Sequence, residues 1–200
     1  MIESSKIAST IVSAVKNVHK EYRYKRLDKK LDEIQNEKNI KILDLITSDE
    51  RFALFCRLQR ACEICTSNEM INVLAEFLIS GIKHPTIDEK QDIYQISFDQ
   101  LAKLTHSEVN LLSELHKHNI YCNSPEDIEN LYIKIENLRN ELIKNRSYSW
   151  DELEILINSL SRNGFLEIKQ GHFSDSESYY HLTELARYTI TLILLREDIF

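Results

Sequence analysis

Cys62 and Cys65 carry the CxxC spacing used both for zinc and for dithiol chemistry. Zinc needs four ligands, and no second CxxC or HxxxH follows at ribbon spacing. Both thiols fall on the apolar stripe of an expected helix, and cysteine is among the most buried residue types, so they read as core. Cys56 points elsewhere on the same helix and is free to be exposed. His116-Lys117-His118 with Cys122 is a second ligand-like group. Two helical residues spaced by two diverge by about 200°, so these histidines converge only if the helix ends first. A polar helix terminus, where cationic side chains are favoured, accounts for them better. No metal and no cofactor is expected. Gly81, Gly164 and Gly171 are the three glycines, and neither GxxxxGK[ST] nor GxGxxG can be assembled from them. No GxSxG elbow, HExxH or EF-hand loop occurs either. Glu152 and Glu154 read as caps and solvated faces. No catalytic residue is expected, and the chain reads as a non-enzyme.

Charge narrows the partners. The formal net charge is -7, which argues against a strongly basic nucleic-acid binder. Residues 1–31 run the other way, with eight Lys/Arg against three acids. The basic patch Lys16, Lys20, Arg23, Lys25 and Arg26, with Tyr22 and Tyr24 interleaved, is therefore the first candidate for a polyanion or an anionic membrane surface. A solvated helix face is the competing reading. No apolar run approaches the roughly 18 residues of a transmembrane span. The start of the chain does not read as a signal peptide, because Glu3 and Lys6 precede its apolar stretch and no small-residue cleavage site follows. The four cysteines then point to reduced thiols and a cytoplasmic location.

The elements that would position these groups are helices. Two hundred residues are enough for one long domain or two small ones. The chain is poor in Gly and Pro, the residues that punctuate turns. Ser/Thr followed three residues later by Glu, the capping-box pattern, recurs at Thr47–Glu50, Thr66–Glu69, Thr86–Glu89, Thr105–Glu108 and Ser149–Glu152. Ser124-Pro125 is a further start, with Pro at the first helical position. Met70, Val73, Leu74, Phe77 and Leu78 mark one face of a helix over 67–82, and Leu54, Phe55, Leu58, Ala61, Cys62 and Cys65 one broad stripe of a helix over 49–65. Ile128, Leu131, Ile135, Leu138 and Leu142 form a short heptad seam on a helix over 125–145, to which both intramolecular packing and a homodimer are open. Near the N-terminus, Ile7, Ile11, Val15, Val18 and Tyr22 share one face and Lys16, Lys20 and Arg23 the opposite one. Beyond residue 24 the stripes exchange: Lys25 and Lys29 fall on the apolar face, Leu27, Leu31 and Ile34 on the basic one. The expectation is two helices, or one kinked near 23–26.

The last 50 residues change character. A helix over 149–163 stops at Asn163-Gly164. Phe165–Gln170 and Ser178–Leu182 then flank a polar loop, giving a β-hairpin followed by a helix capped at Thr183. Helix, two-stranded wing, helix is the tail of a winged-helix module whose first helix is Thr105–Leu115. The expected fold is mainly α: a helical domain over 1–97, then a winged-helix-like domain over 98–200 with one small hairpin and a helical insertion at 124–146. A DNA-reading module wants Lys/Arg on its recognition helix and wing. The helix over 149–163 carries Asp151, Glu152 and Glu154 against Arg162 alone, and the loop 171–177 has no Lys or Arg. Nucleic-acid binding is therefore expected to be weak or non-specific at most, and a protein partner is favoured.

Three phrases add a family resemblance. Phe98, Leu101, Leu104, Thr105, Glu108 and Leu111–Leu112 form the first; Leu156, Leu160, Gly164, Phe165 and Leu166 the second; Leu182, Thr183, Leu185 and Arg187 the last, with Ala186 where glycine is usual. Over residues 49–200 this arrangement resembles the Abi-alpha (abortive infection alpha) family of bacterial proteins. The resemblance implies an antiphage accessory or toxic component and brings no active site with it. Two functions follow as expectations: a non-enzymatic interaction protein of phage defence, or a winged-helix transcription regulator.

Overall fold

The structure, a computed structural model, describes residues 2–65, 67–83, 91–121, 128–145, 148–169 and 179–194, with side chains of the first helix from Asn17 onward. Among them are nine helices and one antiparallel hairpin: α1 (Ile2–Lys38), α2 (Ile42–Leu45), α3 (Asp49–Ile64), α4 (Asn68–Lys83), α5 (Gln91–Leu101), α6 (His106–Lys117), α7 (Ile128–Lys144), α8 (Trp150–Arg162), β1 (Leu166–Lys169), β2 (Tyr179–Leu182) and α9 (Glu184–Leu194). The mainly helical class with one small C-terminal hairpin is as expected.

The centre is α4. Its sequence has a broad apolar arc broken by one narrow polar stripe, Glu69, Asn72, Glu76, Ser80 and Lys83, which fits a helix packed on most of its sides. Met70, Ile71, Leu74, Ala75, Phe77, Leu78, Ile79 and Ile82 are all buried. Helices α1, α3, α5 and α9 pack against it. Gly81 permits the closest approach: a Cβ there would run into the Tyr94 ring of α5. That ring stacks on Phe77 with centroids 5.0 Å apart, and its hydroxyl donates to the carbonyls of Phe77 and Leu78. One continuous set of buried side chains runs from Leu27 in α1 to Leu192 in α9, so the core crosses residue 97.

Local signals explain most boundaries. Both capping boxes within α6 and α8 form, Thr105 with Glu108 and Ser149 with Glu152, each satisfying two orphan N–H groups. Such a cap is worth about 1 kcal/mol. At α3 the cap is Ser48, one residue later than Thr47, its hydroxyl accepting from the Arg51 N–H. At α4 the Met70 N–H goes to Ser67; Thr66, Thr86 and Ser124 lie outside the described residues. Gly164 adopts φ +78, and Phe165 N–H returns to the Leu160 carbonyl at 2.9 Å, a Schellman stop as Asn163-Gly164 predicts. Asn39 and Asn119, at φ 47 and 52, end α1 and α6 in the same way. In the hairpin Leu166 faces Leu182 and Ile168 faces Tyr180, and Leu182 N–H reaches past the pair to the Ile120 carbonyl at 2.8 Å.

Two expectations left open by the sequence are narrowed. Helix α1 is continuous over 37 residues, so two separate helices do not form there. The stripe it buries is Arg23, Leu27, Lys30 and Ile34, spaced as one helical face. Val18 and Tyr22 stay 69% and 57% exposed. The helix therefore never has to serve two stripes at once, because the cations on the buried face find partners in the body. The heptad seam, in turn, is filled from within the chain. Leu131, Ile135, Leu138 and Leu142 are all buried in the core, and α7 packs on β2. At these four positions the face offered for a homodimer is occupied intramolecularly. The Ile128 side chain lies outside the described residues.

Candidate interaction surfaces

The basic patch is largely engaged with the chain itself. Lys20 Nζ lies 2.8 Å from Glu63 of α3, whose carboxylate also accepts from the Tyr24 hydroxyl. The Lys20 hydrogen bond holds the Glu63 carboxyl below its ordinary range. Arg23, only 8% exposed, donates to the Cys65 carbonyl at 3.1 Å and approaches Cys65 Sγ at 3.6 Å. Lys25 pairs with Glu21 one turn back at 2.8 Å. Arg26 is half-buried, and the Lys16 side chain lies outside the described residues. Lys30, on the same helix, is 8% exposed and ion-paired to Glu76 of α4 at 2.6 Å. A guanidinium and an ammonium thus lock α1 onto α3 and α4.

The two ligand-like groups separate. Cys62 and Cys65 are free and buried. Burial, with the neighbouring Cys65, pushes the Cys62 thiol up to about 12, and burial raises Cys65 against the opposing pull of Arg23. Neither is a thiolate at neutral pH. His116 Nδ1 bonds the Tyr121 hydroxyl, while His118 Nε2 faces Glu141 at 3.8 Å; Cys122 lies outside the described residues. Burial lowers His116, so it is neutral at pH 7. Among the described residues no group of three or more His, Cys, Asp or Glu is arranged for a metal ion, and no helix is long and apolar enough to cross a membrane.

The helix over 150–162 turns Leu153, Ile157 and Leu160 inward. It leaves Asp151, Glu152, Glu154, Ile155, Asn158 and Arg162 outward. Trp150, half exposed, is covered on one face by the Arg139 guanidinium, 3.7 Å from the ring centroid.

A groove between α3 and the end of α5 escapes sequence reading. Its volume is about 720 Å³, with Phe52, Ala53, Cys56, Ile64 and Ala102 along it and Arg57, Arg60, Asp99 and Lys103 at its edges. Arg57 Nη1 lies 2.7 Å from Asp99 Oδ2. The only sequence signal is Phe52, Cys56, Arg60 and Ile64 at intervals of four on α3, a stripe separate from the buried one.

The positions that carry the family resemblance are packing and capping positions. Leu101, Leu104, Leu111, Leu112, Leu160, Phe165, Leu166 and Leu182 are buried. Thr105 and Glu108 form a cap, Thr183 Oγ1 receives the Ala186 N–H, and Arg187 stacks on Tyr121. No family model, curated protein or solved structure matches the chain.

Proposed function

We propose that this chain is a non-enzymatic interaction protein that works through protein contacts, as a bacterial antiphage component of the abortive-infection type. The observation that carries the protein-contact reading is the placement of its positive charge. Lys20, Arg23, Lys25 and Lys30 are held in pairs or buried against the chain, and the outward face of α8 begins with three acids. Arg23 and Lys30 are buried, and the exposed Lys20 and Lys25 are each paired with a carboxylate; a polyanion binder needs its cations outward and available, since phosphate neutralisation supplies most of its affinity. The antiphage role rests on the Abi-alpha resemblance alone.

A second reading, a winged-helix transcription regulator, draws on a specific contact. The Leu182–Ile120 hydrogen bond extends the hairpin toward a third backbone segment between α6 and α7, and α6, α8 and the hairpin follow in the order of such a module, with α7 as the insertion between them. In this reading α8 is the recognition helix, and Arg162 its one cation.

Two assays separate them. Titration against randomised duplexes should give at most sequence-independent binding, on the order of 10⁻⁴–10⁻⁶ M at physiological salt. A defined site with nanomolar affinity that is lost on Arg162→Glu would replace the first reading with the second. Phage challenge of bacteria carrying the gene should lower plating efficiency, and unchanged plating across a broad panel would remove the antiphage role.

A further inference from the structure

We infer that the groove between α3 and α5 is a docking site for an acidic amphipathic helix of a partner protein. This deepens the protein-contact reading and rests on it. Most large apolar side chains of the described body are buried. Here Phe52 is 57% and Ile64 73% exposed, at opposite ends of one face of α3. Ile96, also exposed, sits three residues before Asp99 on α5 and so shares its face. From position 52 to 64 the face runs about 18 Å, at about 1.5 Å per residue, which is the length of roughly three turns of a bound helix. The groove's volume, about 720 Å³, lies within the range of small-molecule clefts, and the length of its exposed apolar line is what favours a helix. It suits a helix laid in a groove, with apolar anchors at i, i+3, i+4 and i+7.

Charge selects the occupant. Arg57, Arg60 and Lys103 edge the groove against a single carboxylate, Asp99, which Arg57 already neutralises at 2.7 Å. Lys103 Nζ donates to the uncharged Gln100 side chain at 3.1 Å. In a chain of net charge -7 this local excess of positive charge steers an acidic segment and repels a basic one. The apolar floor asks for Leu, Ile or Phe on one face of the ligand, and the cations ask for Glu or Asp on its flanks.

The test uses the full chain and a fluorescein-labelled helical peptide of about 18 residues, with leucines at i, i+3, i+4 and i+7 and glutamates on both flanks. Its control has lysines in place of the glutamates. Anisotropy should show at least about tenfold tighter binding of the acidic peptide, a difference that shrinks with added salt. Arg60→Glu with Lys103→Glu, both exposed enough to leave the fold intact, should invert the preference. Phe52→Ser with Ile64→Ser should weaken both peptides. In a Cys122→Ser background the acidic peptide should slow alkylation of Cys56, which lines the groove. Equal affinity for the two peptides, binding unaltered by the charge reversal, or unprotected Cys56 would overturn the proposal. So would a single-stranded oligonucleotide that displaces the acidic peptide at equal concentration, which would make the groove a nucleic-acid site. If the groove fails these tests but a co-purifying partner stays bound to the Phe52→Ser, Ile64→Ser chain, the protein-contact reading stands and the groove proposal falls. No partner co-purifying with the parent chain, together with no peptide preference, removes both.

Discussion

Replacing Lys30 by Met tests whether α1 is held by a buried ion pair. Lys30 Nζ lies 2.6 Å from Glu76 Oε1, with side chains 9% and 13% exposed. The pair joins a stripe that is otherwise Leu27 and Ile34 to the central helix α4. Removing the ammonium strips Glu76 of its Lys30 counter-charge in a poorly solvated place, a loss that costs about 3–5 kcal/mol in comparable cases. The residual access of Glu76 to water puts the expected value at the lower end, about 3 kcal/mol. For a chain of this size each kcal/mol moves Tm by about 2–4 °C, so the midpoint should fall by roughly 6–12 °C. The double variant Lys30→Met, Glu76→Leu replaces the pair by apolar groups of similar volume and should return to within about 1 kcal/mol of the parent, or exceed it. Urea titrations followed by circular dichroism measure both. A Lys30→Met chain within about 1 kcal/mol of the parent, or a double variant as unstable as the single, would refute the role given to this pair.

Three further outcomes follow from packing and burial. Gly81→Ala should destabilise by about 1–3 kcal/mol, because its Cβ meets the Tyr94 ring, and much of that cost should vanish in a Tyr94→Leu background, as a double-mutant cycle would show. Leu138→Ala should cost about 2–5 kcal/mol in stability while sedimentation mass stays unchanged, since Leu138 is buried within its own chain. In a Cys122→Ser background, Ellman's reagent at pH 8 should find one fast thiol, Cys56, and reach Cys62 and Cys65 only after denaturant, because burial keeps those two protonated; elemental analysis should find no zinc that disappears on Cys62→Ala.

What the sequence makes legible is local. The boxes at Thr105 and Ser149 need only four consecutive residues, and both form. The stripes of α3 and α4 and the stop at Gly164 are likewise set within a turn or two of chain. The continuity of α1 is not local. Helical spacing places Arg23 and Lys30 on a stripe with Leu27 and Ile34, but the groups that let those cations be buried, the Cys65 carbonyl and Glu76, arrive from 42 and 46 residues away. An apolar period states that a face is covered and leaves open by what, so the seam at Leu131–Leu142 reads equally as a dimer contact and as core. The groove is invisible for the same reason: its two walls, at Phe52–Ile64 and Asp99–Lys103, are remote in sequence and become one surface only when α3 and α5 meet.

The same distinction governs charge, and it yields one experiment that separates folding from binding. Counted along the chain, the positive charge concentrates in residues 1–31. Placed in space, Lys20, Lys25, Lys30 and Arg23 of α1 face Glu63, Glu21, Glu76 and the Cys65 carbonyl, and a cluster no count along the sequence detects, Arg57, Arg60 and Lys103, borders an apolar groove. These two groups should respond oppositely to salt. Exposed charges are screened beyond about 10 Å at 0.1 M and about 3 Å at 1 M ionic strength, whereas a buried pair is screened much less. Raising sodium chloride across that range should therefore leave the penalty of Lys30→Met nearly unchanged, while the preference of the groove for an acidic over a basic helix collapses. If the Lys30→Met penalty falls in step with the peptide preference, the Lys30–Glu76 pair behaves as a solvated surface contact, and the account of how α1 packs a cationic face against the body fails with it.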